Sequence, residues 1–277
     1  MDKETYDNLT KTAIKVRRLT IKTLKTAGSG HIGGSFSATE VMVYLYFNKM
    51  NIDPHKPNKS DRDIFLLSKG NASSGYYCVL AERGYFNKEE LSTYRQINSK
   101  FQGHPHIDEV PGVESSSGSL GQGISFGIGI ALGMKKKNIN NKVYVMTGDG
   151  ELEEGQIWEA IMLQGKLKLD NLIIIVDQNK LQLDDYVKNI TELSDLKSKF
   201  ESFGFNVIKI NGNDFNEIDD AFKNLSSSKP NIIISDTVKG KGISFMENKV
   251  EWHSKKMNDE DYNKALMELE KQEADIK

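Results

Sequence analysis

A single cysteine, Cys78, excludes an internal disulfide and any cysteine-cluster metal site, and it fits a reducing compartment. Cys78 reads as a small, helix-buried hydrophobe. An excess of one charge is also missing. The 37 Lys and Arg residues against 39 Asp and Glu leave a net charge of −2, so nothing points to a nucleic-acid partner. No apolar run is long enough to span a bilayer, and Met1-Asp2-Lys3-Glu4-Thr5 has no basic flank leading into an apolar core. No membrane contact is expected, and the expected location is cytoplasmic. Neither an internal repeat nor an interdomain linker breaks the chain. Its 277 residues are enough for one substantial core, so residues 1–277 are expected to form a single domain.

Within that domain, strand-like and helix-like segments alternate. Helical spacing runs over Glu4 to Ala27, ended by Gly28-Ser29-Gly30, then over a more buried Ala38 to Phe47, Ser73 to Arg83 and Lys88 to Tyr94. Short apolar runs at Ile64–Leu67, Val143–Thr147, Leu172–Val176, Phe205–Ile210 and Ile232–Asp236 read as strands. Helices are expected over Leu120–Met134, Gln156–Lys168 and Phe215–Leu225, and from Asp259 onward. The glycines of Leu120–Met134 suit close packing at a subunit interface. Phe101 to Gly118 carries the glycines, prolines and serines of a long functional loop, and Val238-Lys239-Gly240-Lys241-Gly242 begins a flexible one. This order predicts an α/β fold, a doubly wound parallel sheet with helices on both faces.

The most informative stretch is Gly148-Asp149-Gly150, followed 30 positions after Asp149 by Asn179. The glycines fall at a strand-to-helix turn, where backbone N–H groups and the helix dipole favour a phosphate oxyanion. The spacing suits one βαβ unit, which brings Asp149 and Asn179 together at the carboxyl edge of neighbouring strands. An Asp carboxylate, an Asn amide oxygen and a backbone carbonyl near Leu181 are hard donors of the kind Mg²⁺ or Ca²⁺ prefers.

Gly-Asp-Gly with Asn at this distance resembles the thiamine diphosphate (ThDP) motif of ThDP-dependent enzymes. Further segments are similar to transketolase, in that family's order: Ser29-Gly30-His31-Ile32-Gly33-Gly34-Ser35, Ser68-Lys69-Gly70, Gly103-His104-Pro105, Pro111-Gly112-Val113-Glu114, Gly118-Ser119-Leu120-Gly121-Gln122-Gly123 and Trp252-His253. Together they run over almost the whole chain and resemble a transketolase amino-terminal half.

The resemblance implies a diphosphate-binding domain that holds Mg²⁺ (or Ca²⁺) and ThDP. Asp149, Asn179 and the Leu181 carbonyl would hold the metal. Asn71, Gly118, Ser119, Leu120, Gly148, Gly150, Asn179 and His253 would contact the cofactor. His31 and His253 would meet sugar oxygens near the reacting carbon, and His104 the donor's terminal hydroxymethyl or carbonyl end. All three histidines lie in turns, where a rigid sheet presents catalytic groups. His55 and His106 read as loop residues. Glu154 matches the position whose carboxylate faces the partner half in a proton-sharing pair, while Glu151 and Glu153 are read as serving the helix dipole alone. Asn71 departs from the family, which has histidine after Ser-Lys-Gly. Two readings stand: tolerated variation with a water filling the gap, or a channel reshaped for an unusual ketose or aldehyde.

By the same resemblance, the activity is transfer of a two-carbon ketol unit from a ketose, as the phosphate or an analogue, to an aldose. The family's pyrimidine-binding half is not seen in these residues. The expected partner is therefore a carboxy-terminal transketolase subunit, and the expected assembly an α2β2 heterotetramer. The alternatives are a subunit of another ThDP enzyme such as deoxyxylulose-phosphate synthase, or a noncatalytic ThDP-binding regulatory subunit.

Overall fold

The computed structural model of the chain describes residues 1–191 and 193–276. Strands β1 (Ile64–Leu67), β2 (Val143–Gly148), β3 (Leu172–Gln178), β4 (Asn206–Asn211) and β5 (Asn231–Asp236) form one sheet in the order β1-β2-β3-β5-β4. Each neighbouring pair is parallel. The helices are α1 (Lys3–Ala27), α2 (Ile32–Ser37), α3 (Thr39–Tyr44), α4 (Ser73–Arg83), α5 (Gly123–Lys136), α6 (Gly155–Leu167), α7 (Val187–Ile190), α8 (Leu196–Ser202), α9 (Phe215–Lys223) and α10 (Asp259–Ala274).

The period-two geometry of the strands explains why their apolar runs are continuous. Ile64, Leu66, Val143, Val145, Leu172, Ile174 and Val176 enter one core, which α5, α6 and α8 cover. Their neighbours Phe65, Leu67, Tyr144, Met146, Ile173 and Ile175 enter the other, beneath α1, α3, α4, α9 and α10. A sheet buried on both faces needs apolar residues at successive positions, and this is the expected doubly wound arrangement.

Helix ends follow from local chemistry. Asp2 caps α1 by accepting from the Thr5 N–H at 2.8 Å, and Gly28, at φ +67°, ends it by donating to the Leu24 carbonyl at 2.9 Å. Loss of such an N-cap costs about 1 kcal/mol. The helix expected over Ala38–Phe47 is instead the end of a broken one: α2, α3 and a π-helical turn over Leu45–Lys49. Side-chain hydroxyls back-bond on either side of the break. Ser35 and Thr39 donate to the carbonyls of His31 and Ser35, competing with the backbone ladder. The glycine-rich helix starts at Gly123 rather than Leu120, because Gly118 and Gly121 adopt φ +128° and +85° in the preceding turn. Lys88–Thr93 is a 3₁₀ turn, and α8 was not expected from sequence.

Candidate functional site

Register creates the site. Gly148 of β2 pairs with Asp177 of β3, so Asp149 and Asn179 leave adjacent strands at the carboxyl edge of the sheet, as the spacing predicted. Asp149 begins the 3₁₀ turn Gly150–Glu153 and accepts from the N–H groups of Gly150 (3.0 Å) and Lys180 (2.5 Å). The residue is 4 % exposed. Burial, and secondly the negative charge of Asp177, push its pKa up to about 6. Asn179 and Leu181 are equally buried, and Asn179 Oδ1 accepts from the Leu181 N–H at 3.2 Å.

Three histidines complete the same cavity of about 460 Å³. His31 sits at the start of α2, His253 ends a 3₁₀ turn over Val250–His253, and His104 lies in the long loop. The rings of His31 and His253 meet edge to face with centroids 5.1 Å apart, and His104 lies 6.4 Å from His31. Burial, and then nearby cations, lower His31 to about 4 and His253 to about 3. His104 is lowered for the same reasons. All three are therefore neutral imidazoles near pH 7, each with one donor and one acceptor. His31 Nδ1 is buried and has no hydrogen-bond partner among the described residues.

Every other candidate from sequence except Ser119 lines this cavity: Asn71, Gly118, Leu120, Gly148, Gly150 and Glu154 join the residues above. Gly118 is needed for its backbone angle and because a β-carbon there would come within 3.2 Å of the His104 ring. Glu154 precedes α6 with its carboxylate exposed and, among the described residues, without a hydrogen bond. A more open cavity of about 760 Å³, beside Arg95 and Lys100, shares His104.

The acidic turn differs from its sequence reading. Glu151 is 3 % exposed and does not serve the helix dipole alone. Its carboxylate accepts from Ser68 Oγ (2.5 Å), Gly121 N–H (2.9 Å) and Gly148 N–H (3.1 Å), tying three loops together. Glu153 accepts from Gln182 Nε2 at 2.5 Å. The segment read as a flexible loop also differs. Lys239 is 1 % exposed, and the Gly240 N–H donates to the Gly33 carbonyl at 3.1 Å.

Sequence reasoning passed over Lys69, Asp177 and Lys239. Lys69 ion-pairs with Asp177 in the interior and donates to the Gly34 carbonyl. Lys239 Nζ donates to the carbonyls of Leu181 (3.0 Å) and Gln182 (2.8 Å) and to His253 Nδ1 (2.9 Å), and burial lowers its pKa to about 8. A lysine directly before a glycine, or an aspartate two places before Asn179, was the only signal available. Their partners lie 58 and 108 positions away.

The donor set has the chemistry of a hard-cation and diphosphate site: one carboxylate, one amide oxygen and one carbonyl, with a second lone pair on the Leu181 oxygen beyond the one Lys239 engages. The glycine turn keeps the backbone accessible, and Lys239 supplies positive charge. Sheet and pocket thus define a nucleotide- or cofactor-diphosphate-binding α/β domain. Residues 9–273 match the family model "Transketolase, thiamine diphosphate binding domain", and the chain belongs to that family. It is 42% identical over 266 residues to an apulose-4-phosphate transketolase subunit of Actinobacillus succinogenes, covering 95% of this chain and 96% of that protein. It is 41% identical over 261 residues to a 6-deoxy-6-sulfo-D-fructose transketolase subunit of Clostridium sp. strain MSTE9, covering 94% and 95%. The crystal structure of Campylobacter jejuni transketolase superposes with a TM-score of 0.88 at 32% identity, over 96% of this chain but 42% of that one. The chain therefore matches subunit-sized relatives over about 95% of both lengths and corresponds to the amino-terminal part of a transketolase.

Proposed function

We propose that this chain, as the amino-terminal subunit of a two-subunit transketolase, binds ThDP with Mg²⁺ (or Ca²⁺) and transfers a two-carbon ketol unit from a ketose to an aldose. The observation that carries this reading is the convergence of Asp149, Asn179 and Leu181 with His31, His104 and His253 in one cavity. Asp149, Asn179 Oδ1 and the Leu181 carbonyl would hold the metal. Gly148, Gly150, Asn71, Gly118, Ser119 and Leu120 would meet the cofactor. When bound, ThDP supplies the carbon centre that takes up and releases the ketol unit.

The chain's own residues orient and exclude. Lys239 donates to His253 Nδ1, so the ring proton of a neutral His253 stays on Nε2, available to a sugar oxygen. His31 offers a buried Nδ1 with no partner in the described residues. His104 would hold the terminal end of the donor. Glu154, exposed at the start of α6, would face the partner's carboxylate.

The partner in this reading is a carboxy-terminal subunit carrying the pyrimidine-binding half, and the assembly an α2β2 heterotetramer. In support, α5 and α6 leave Phe126, Met162 and Leu163 about half exposed, an apolar surface of the kind a second chain covers. The two similar subunits are named for a sugar phosphate and a sulfonated sugar. We accordingly propose a sugar phosphate, or a sugar with another anionic group, as substrate here. With one cysteine and no helix among the described residues long and apolar enough to cross a membrane, a cytoplasmic enzyme fits. We treat residues 1–277 as one diphosphate-binding domain. The deciding experiment is reconstitution with the carboxy-terminal subunit, followed by a donor-cleavage assay.

A further inference from the structure

We infer that Asp177 is a positioning residue for the metal: it fixes which atom of the Asn179 amide is presented as a ligand. The inference rests on the metal reading above.

Asp177 ends β3 at 1 % exposure and accepts from four directions. Its Oδ2 receives Ser37 Oγ at 2.7 Å, the Lys69 ammonium and Asn179 Nδ2 at 3.3 Å, and its Oδ1 receives Thr237 Oγ1 at 2.5 Å. With its lone pairs spent on these donors and its charge met by Lys69, this carboxylate is not itself a metal ligand.

Its effect on Asn179 follows from donor and acceptor arithmetic. An ionised carboxylate only accepts, so the amide atom facing Asp177 has to be the NH₂. Ser37 repeats the instruction. Its one hydroxyl hydrogen goes to Asp177 at 2.7 Å, a charged acceptor nearer than the Gly34 carbonyl at 3.2 Å. That leaves an oxygen lone pair to receive Asn179 Nδ2 at 3.3 Å. Both neighbours thus demand the nitrogen, and Oδ1 is left on the other side of the amide, where it accepts from the Leu181 N–H. Turning the amide over would press Oδ1 against a carboxylate oxygen and offer N–H groups to a cation. The other three donors to Asp177 come from α2 and from the segments after β1 and β5, so the carboxylate that sets the amide is itself fixed by three pieces of chain.

The test uses the full chain with Asp177→Asn and Ser37→Ala. ThDP binding is followed by calorimetry across a Mg²⁺ series, and metal binding directly by the electron paramagnetic resonance of Mn²⁺ in the presence of ThDP. Asp177→Asn puts an NH₂ among the donors and should raise the Mg²⁺ midpoint roughly 10–100-fold, the usual loss for an outer partner of a metal ligand. Ser37→Ala removes the second instruction and should give a smaller rise. Thermal unfolding of the ligand-free chain separates this from loss of fold, which would not shift a metal midpoint selectively. Should Asp177→Asn not fold, Ser37→Ala decides alone. Folded variants with the wild-type Mg²⁺ midpoint and Mn²⁺ signal would overturn the inference. Wild-type chain that binds ThDP without regard to Mg²⁺ would instead remove the metal reading, and the inference with it.

Discussion

Lys239 Nζ and His253 Nδ1 lie 2.9 Å apart, so a buried ammonium sits against the ring that faces His31. The contact helps hold His253 uncharged, after burial itself. Lowered histidines carry a pH signature. In the unfolded chain His31 and His253 titrate near pH 6.5, whereas in the folded chain they do so at about 4 and about 3. Between those values the unfolded state binds more protons. Their contribution to stability is complete above about pH 6.5 and is lost as pH falls toward about 4 for His31 and about 3 for His253. Lys239→Met should raise both histidine pKa values, as read by proton NMR of the ring carbons, and move the acid side of the stability profile to match. Unshifted rings would mean that Lys239 does not contribute to holding them neutral.

In the proposed reading Asp149 would supply the anionic part of the metal shell. Asp149→Ala should weaken ThDP binding strongly in calorimetric titration, and excess chelator should do the same to the wild-type chain. Because the carboxyl titrates at about 6, the sign runs toward acid: binding should fall as pH drops through that value and the ligand becomes protonated. Undiminished affinity in the variant or in chelator would sink the assignment of the metal to this edge.

Asn71 lines the cavity at the position where the sequence resemblance led to an expected histidine, and a β-carbon on Gly34 would lie 3.4 Å from its Nδ2. If this position sets the substrate channel, Asn71→His should raise turnover of ordinary phosphorylated ketoses relative to the native donor, because selectivity is a difference between transition-state affinities. Competition between donors in the reconstituted enzyme measures that ratio. An unchanged ratio leaves tolerated variation, with water in the gap.

Much of this was legible because it is local. The apolar runs marked the strands, and the 30-residue spacing implied the pairing of Asp149 with Asn179 across β2 and β3. The histidines were legible from the turns that hold them, although their mutual distances were not. What escaped depends on contacts between distant segments. Glu151 looked like an acidic first turn, yet its carboxylate is consumed by Ser68, Gly121 and Gly148. Asp177 was given no role from sequence, yet Ser37, Lys69 and Thr237 converge on it. The break at Ala38 separates Ile32–Ser37 from Thr39–Tyr44, which an apolar periodicity cannot reveal.

The purified chain is expected to bind cofactor but not to turn over, gaining ketol transfer only when its partner is added. In the proposed reading this chain would supply the diphosphate and metal donors, and the partner the carboxylic acid at the pyrimidine end and the apolar clamp that orients it. Among the described residues, the carboxylates lining the cavity are Asp149, Glu151, Glu153 and Glu154. The first three are engaged by the backbone, Ser68 or Gln182, which leaves Glu154 as the one open to a partner's carboxylate. The exposed Phe126, Met162, Leu163 and Leu167 on α5 and α6 should make the isolated chain self-associate weakly, and the partner should abolish this. Size-exclusion chromatography with light scattering, followed by a donor-cleavage assay on each fraction, reads both effects. Full activity in fractions of this chain alone would overturn the two-subunit reading and require an activating carboxylate within these 277 residues.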